Sequence, residues 1–376
     1  MAGCPRSLRP VPVAFAGTAD DPRPQLTRVG AAYLQALGAG IDAWGTTLTY
    51  GIWDVDLAGD GDPVVGAPIK ADETVDGQEP VRALNSLRDV LRTVTDSYNT
   101  NDGLGKVAWY DRTEGYVRVT KVVPPNGGEP RMVVSIPGTQ PWFPWDDLGN
   151  NHPADFIGDL VGAAGGRSTY SATVALAIDE AIATDPDLDS GTPILLAGHS
   201  LGGITAADLA SDPEFLADHN ITDVITAGSP IDNDRIDSRI HVLEVAHAGD
   251  AVPLLDFADL RVTLQPGPDI IPGMPFHVEF SSSGHAPEDL HTKITLPNPE
   301  SEVEGREVFE ILADNHDHFK YGNSVSAALS SHPELAEFEE RLLREGYLNP
   351  LSEDPDAETK GSQPSYEVYD VPVGRR

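Results

Sequence analysis

The residues with the plainest chemical purpose are Gly198-His199-Ser200-Leu201-Gly202, a G-x-S-x-G pattern. The apolar run Ile194-Leu195-Leu196-Ala197 precedes it. Ile204-Thr205-Ala206-Ala207-Asp208-Leu209-Ala210, with the apolar spacing and small residues of a helix, follows. Strand, pattern and helix in that order put a serine on a sharp turn, with its hydroxyl presented to a substrate. Glycines at the flanking positions let strand and helix approach without Cβ clashes. The chemistry would be attack of the Ser200 hydroxyl on an acyl carbon. A chain with 36 glycines carries chance matches to so short a pattern, so the reading depends on partners. A base must take the serine proton, an acid must orient that base, and amide donors must receive the charge that develops on the carbonyl oxygen.

The acid candidate is Asp250. Ile240-His241-Val242-Leu243-Glu244-Val245-Ala246 alternates like a strand and runs into His247-Ala248-Gly249-Asp250-Ala251-Val252-Pro253. A Gly-Asp turn at a strand end belongs to the carboxyl edge of a sheet, the edge at which a serine turn also opens. Most other aspartates of the chain read as solvated surface charges. Asp256 and Asp259, close by, do not terminate a strand.

The base lies among Asp314-Asn315-His316-Asp317-His318-Phe319-Lys320-Tyr321, after a strand expected over Arg306–Ala313. Asp317 is a good N-cap for a helix through Tyr321 and Val325, which leaves His316 in the loop and His318 in the first helical turn. His316 is preferred, with His318 as the alternate. His199 is the variable position of the serine pattern, and His241 and His247 belong to the Asp250 strand. His277, His285 and His291 read as lid or surface residues. The anion hole would follow the strand Met132-Val133-Val134-Ser135-Ile136, which ends in Pro137-Gly138-Thr139. Its donors would be the amides of Thr139 and of Leu201, the residue after the serine.

These residues need a scaffold. The helix near Ser171–Ile182 and the strands expected at 193–197, 222–227 and 240–246 give a βα rhythm, which means a parallel sheet covered on both faces. Upstream, Leu26–Leu37 and Val81–Tyr98 have amphipathic spacing, separated by a Gly/Asp-rich acidic loop from Asp54 to Glu79. Val107–Tyr110 and Tyr116–Val123 read as a hairpin leading into the sheet. Pro141-Trp142-Phe143-Pro144-Trp145, directly after the anion-hole loop, and the apolar, Pro/Gly-broken stretch from Leu264 to Phe280 are candidates for a lid or acyl pocket.

On these segments the chain resembles the α/β-hydrolase superfamily, and within it the class 3 (fungal-type) lipases and a related group of bacterial lipases and esterases. The matching stretches are Val133–Thr139, Leu195–Gly203, Val224–Pro230 and Ala248–Pro253, and the resemblance spans roughly residues 105–330. Class 3 lipases usually carry Arg before the Gly-Ser/Thr of the first stretch, where this chain has Pro137. The bacterial group has Pro-Gly-Thr there and places its histidine five residues before a tyrosine, as with His316 and Tyr321. His318 and Tyr321 match the shorter spacing of other relatives. The resemblance implies an α/β-hydrolase fold with a mostly parallel central sheet and helices on both faces, to which the helical N-terminal extension expected from the spacing is added. It implies a Ser200-His316-Asp250 triad cleaving carboxylic acyl esters with no cofactor and no metal; thioesters and phospholipids use the same triad.

Composition bounds the rest. At 376 residues and 40% hydrophobic, the chain can bury a large core. Three regions are expected: a mostly helical extension over 1–104, a catalytic domain over 105–346, and an acidic, disordered tail over 347–376. The net charge of −35, with lysine confined to Lys70, Lys106, Lys121, Lys293, Lys320 and Lys360, excludes nucleic-acid binding and disfavours anionic membranes. No apolar run approaches the ~20 residues of a membrane span, so the expected partner is a small-molecule or lipid acyl ester without stable membrane insertion. The single cysteine, Cys4, allows no internal disulfide. With no signal peptide in evidence the default compartment is the cytoplasm. Tyr366-Glu367-Val368-Tyr369-Asp370 resembles the Y-x-x-x-D signal of type VII secretion and keeps non-classical export open. An inactive hydrolase fold that binds a partner through its acidic N-terminal region or tail is the alternative to an enzyme.

Overall fold

A computed structural model describes residues 62–71, 81–104, 115–125, 127–139, 153–154, 168–232, 234–254, 260–266, 276–282, 290–299, 314–349 and 363–375. In chain order these form strands Pro63–Val65 (β1) and Ile69–Lys70 (β2), helix Leu87–Leu104 (α1), strands Gly115–Val123 (β3) and Arg131–Ile136 (β4), and helix Thr169–Thr184 (α2). Strand Pro193–His199 (β5), helices Leu201–Ser211 (α3) and Pro213–Asp218 (α4), and strands Asn220–Ala227 (β6) and His241–His247 (β7) come next. Strands Leu260–Pro266 (β8), Phe276–Ser282 (β9) and His291–Leu296 (β10), helices His318–Ala328 (α5) and Pro333–Glu345 (α6), and strand Ser365–Arg375 (β11) complete the order.

Among the described residues one mixed nine-stranded sheet runs β1-β11-β3-β4-β5-β6-β7-β10, with β2 also on β11. From β4 to β10 every neighbouring pair is parallel, while β3 and β11 join antiparallel. The period-2 alternation sends Val134, Ile136, Leu196 and Val224 to the face that α2 and α3 cover with Val174, Ile178 and Ala206. Val133, Leu195, Ile225 and Leu243 face the other way, toward Leu91 and Val94 of α1, Val325 of α5 and Leu335 of α6. Each such buried Val, Leu or Ile side chain contributes about 1.5–3 kcal/mol relative to exposure. With helices on both faces, this is an α/β fold. Among the described residues no helix is long and apolar enough to cross a membrane.

Several expectations need correction. Eleven residues of the expected disordered tail, Ser365–Arg375, are β11, lying between β1 and β3 and paired with β3 from Ser365↔Val123 to Val373↔Gly115. Asp370 is opposite Arg118, and the two fully buried side chains meet through Nε and Nη2 donors at 2.8 and 3.1 Å. Tyr366 and Asp370 of the export-like pattern are thus part of the sheet. Two short strands, β1 and β2, occupy part of the expected acidic loop, so the first 104 residues are not simply helical. The helix expected from Val81 starts at Leu87, where Asp89 accepts from the Ser86 hydroxyl and the Asn85 amide and fixes the first turn. It is part of the core and not an appendage. β8 and β9 pair as a separate antiparallel ribbon, so the arms of the Leu264–Phe280 stretch are strands. The strand joining β7 at the sheet edge is β10, which begins at His291, a residue expected in a lid or on the surface. Leu26–Leu37, Val107–Tyr110, Trp142–Trp145 and Arg306–Ala313 lie outside the described residues.

Removing Asp370 takes from the buried Arg118 its closest carboxylate among the described residues, where Asp96 follows at 3.9 Å. Asp370→Ala is therefore expected to cost about 3–5 kcal/mol in urea denaturation, with strand β11 the element set free. A loss below about 1 kcal/mol would contradict a sheet closed by this pair.

Candidate active site

Ser200 joins β5 to α3 with φ 56° and ψ −126°, and it is the one non-glycine residue with positive φ among those described. Holding a serine there costs on the order of 1–3 kcal/mol, and the surroundings enforce it. The Ser200 amide donates to the Ala227 carbonyl at 3.0 Å, while the Ser200 carbonyl accepts from the Gly203 and Ile204 amides and starts α3. A Cβ at position 198 would lie 2.2 Å from the Gly202 carbonyl, and one at 202 would lie 2.0 Å from the Ile136 carbonyl oxygen. The flanking glycines thus let β5, α3 and the end of β4 converge. Gly202→Ala must push backbone against backbone, so its cost is expected to exceed the usual ~1–3 kcal/mol of overpacking. Thermal unfolding of that variant checks this; an unchanged Tm would contradict the convergence.

Three residues remote in sequence meet at this turn. The Ser200 hydroxyl lies 3.0 Å from Nε2 of His316, and Nδ1 of His316 donates to Oδ2 of Asp250 at 2.8 Å. The bridging histidine is His316. His318, the alternate, instead stacks on Tyr98 with ring centres 4.0 Å apart and its Nδ1 toward the Thr95 hydroxyl. Asp317 caps α5 through the Phe319 amide, so His316 precedes the helix while His318 begins it. Ser200, Asp250 and the loop Pro137–Thr139 follow the carboxyl ends of β5, β7 and β4, at one edge of the parallel strands.

Asp250 is buried and its oxygens are occupied. Oδ2 also accepts from the Tyr321 hydroxyl at 2.6 Å, and Oδ1 accepts from the Val252 amide at 3.0 Å. Burial, with the Asp250 charge alongside, pushes the Tyr321 phenol well above its ordinary range, so it stays a donor. Gly228 (φ +62°) gives this group its room: a Cβ there would come within 2.8 Å of Oδ2 and 3.0 Å of the imidazole Nδ1. His247 ties the acid strand to the base loop. Its Nδ1 donates to the Asn315 carbonyl at 2.7 Å and its Nε2 accepts from Ser324, and burial lowers its pKa and favours that neutral form.

On the far side of Ser200, the Gly138 amide donates to the Tyr98 hydroxyl at 2.5 Å. Tyr98 is 2.9 Å from Nδ1 of His199, whose Nε2 is 2.8 Å from the His316 carbonyl. A carbonyl only accepts, so Nε2 of His199 carries the proton and Nδ1 accepts from Tyr98. Burial, then the charges of His316 and His318, hold His199 well below its ordinary range and thus neutral. Thr139 is buried, and Leu201 is the first residue of α3, where backbone amides have no partner within the helix. Among the described residues no group of His, Cys, Asp and Glu is arranged to hold a metal ion.

Neither a family model nor a curated protein matches the chain. Among solved structures, the Lip2 lipase of Yarrowia lipolytica is 19% identical over 32% of this chain and 46% of that one, with a TM-score of 0.19. The match spans less than half of that lipase, and so slight a likeness decides neither fold nor function. Tyr98, Gly228 and His247 stood out least in the sequence. Tyr98 looked like one more apolar position of a helix, and His199 like the variable letter of its pattern. Tyr321 had a signal in its spacing from His316.

Proposed function

We propose that the chain is an α/β-hydrolase-type serine hydrolase that cleaves carboxylic esters. The observation that carries this is the continuous chain Asp250–His316–Ser200 ending on a serine held at positive φ. In this reading Ser200 Oγ attacks the acyl carbon while Nε2 of His316 takes its proton. Asp250 keeps the proton on Nδ1 and offsets the imidazolium charge, and Tyr321 and the Val252 amide hold the carboxylate in place. The Thr139 and Leu201 amides receive the oxyanion. The tetrahedral adduct collapses as His316 returns the proton to the leaving alcohol. Water, deprotonated by the same imidazole, then cleaves the acyl-enzyme and frees Ser200. Thioesters and phospholipids present the same electrophile, so the reading extends to them as substrate classes.

Stopped-flow hydrolysis of p-nitrophenyl esters of increasing chain length tests this. The expected result is a burst of nitrophenol, followed by slower turnover, with an acid-quenched acyl adduct on the Ser200 peptide. Linear release with no adduct on any serine would contradict it.

A further inference from the structure

The group Gly138–Tyr98–His199–His316 lies beside the proposed triad but takes no part in the proton transfers above. It connects two loops that the chemistry needs in register. One is the loop after β4, which presents Thr139; the other is the loop that presents the His316 imidazole. The Tyr98 oxygen accepts the Gly138 amide, its proton goes to Nδ1 of His199, and the Nε2 proton of His199 goes to the His316 carbonyl. All these hydrogen bonds are buried. The packing is tight as well: a Cβ at Gly138 would be 2.4 Å from the Tyr98 hydroxyl, 2.7 Å from the His199 carbonyl and 2.8 Å from Ser200 Cβ.

We propose that Tyr98 and His199 are positioning residues that lock the anion-hole loop to the main chain of the base, with His199 working as a one-way relay in its neutral Nε2–H form. This rests on the serine-hydrolase reading. The relay explains why α1 belongs to the catalytic body. The same helix braces the base loop through the Thr95 hydroxyl, which donates to the His318 carbonyl at 3.2 Å, and through the Tyr98–His318 stack. It braces the oxyanion strand through Thr93 and Ser135, whose hydroxyls are 2.6 Å apart. The Gly138 amide is already spent on Tyr98, so an oxyanion donor from this loop has to be a later amide, which fits Thr139.

Tyr98→Phe removes one oxygen and keeps the ring and its stack on His318. It is expected to lower kcat on p-nitrophenyl acetate by about 10- to 100-fold, with KM within about threefold, because misplaced groups lose transition-state contacts and keep ground-state ones. His199→Asn retains an acceptor near Nδ1 and His199→Gln a donor near Nε2, so each should lose less than His199→Leu. Tyr98→Phe combined with His199→Leu should be no slower than about the worse single change, since both break one connection. The burst measures the competent serines and its rate constant measures their chemistry. A reduced rate constant at full amplitude is the expected result for Tyr98→Phe. An unchanged rate constant, whether amplitude holds or falls, would overturn the relay and leave Tyr98 a purely structural residue. A wild-type enzyme with neither a burst nor an acyl adduct on Ser200 would overturn the serine reading itself, and the relay with it.

Discussion

Ser200→Ala is expected to lower ester hydrolysis by about 10⁶-fold, the size of loss seen when a triad nucleophile is removed. The fold should stand. Ser200 bonds its neighbours through its backbone, which alanine keeps: the amide still reaches Ala227 and the carbonyl still starts α3. Alanine inherits the φ of 56°, so Tm should move little. Ser200→Gly should separate strain from chemistry: it would be equally inactive, yet more stable by up to about 1–3 kcal/mol, because glycine accepts positive φ without a Cβ penalty. Calorimetry beside a hydrolysis assay reads both quantities. Activity retained in Ser200→Ala would sink the account, and a Ser200→Gly variant less stable than wild type would contradict the strain.

Asp250→Asn has the next largest expected effect, a fall in kcat of about 10⁴-fold. The side chain keeps its shape, and its amide oxygen at the Oδ1 position can still accept from the Val252 amide. An amide group facing Nδ1 of His316 would donate where the carboxylate accepted. The imidazole would then carry its proton on Nε2, toward Ser200, and could not take the serine proton. The loss should sit in kcat and not in KM, since no substrate contact has changed. Tyr321→Phe, which removes one of the donors to Asp250, should cost far less than Asp250→Asn. A loss for Asp250→Asn below tenfold would mean that Asp250 merely caps its loop.

The parts of the molecule legible in the sequence were local. Gly198, Ser200 and Gly202 encode a steric requirement within five positions, and Asp317 encodes a helix start three residues before the end of its own first turn. The parallel strands showed as apolar runs because both their faces are covered. What the sequence hid was pairing at long range. Arg118 lay in an expected hairpin strand and Asp370 in an expected tail, and only their opposition across β3 and β11 makes them a buried pair. Pro, Ser and acidic residues around position 360 suggested a tail, whose final strand is in fact paired on both sides within the sheet. His199 and Tyr98 are 101 positions apart, so neither the helix pattern nor the serine pattern could assign them to each other. His316 and His318 were separable only by where α5 begins.

The most direct test of the central claim, that His316 activates Ser200, is labelling with a fluorophosphonate followed by mass-spectrometric mapping of the modified residue. Wild type, His316→Ala and His318→Ala would be compared at equal folded concentration. The account predicts modification of Ser200 in wild type, near-wild-type labelling in His318→Ala, and suppression in His316→Ala. Labelling of Ser200 that survives His316→Ala but is lost in His318→Ala would transfer the base to the other histidine. No labelling of Ser200 in the folded wild-type protein, with or without detergent, would contradict an activated serine altogether.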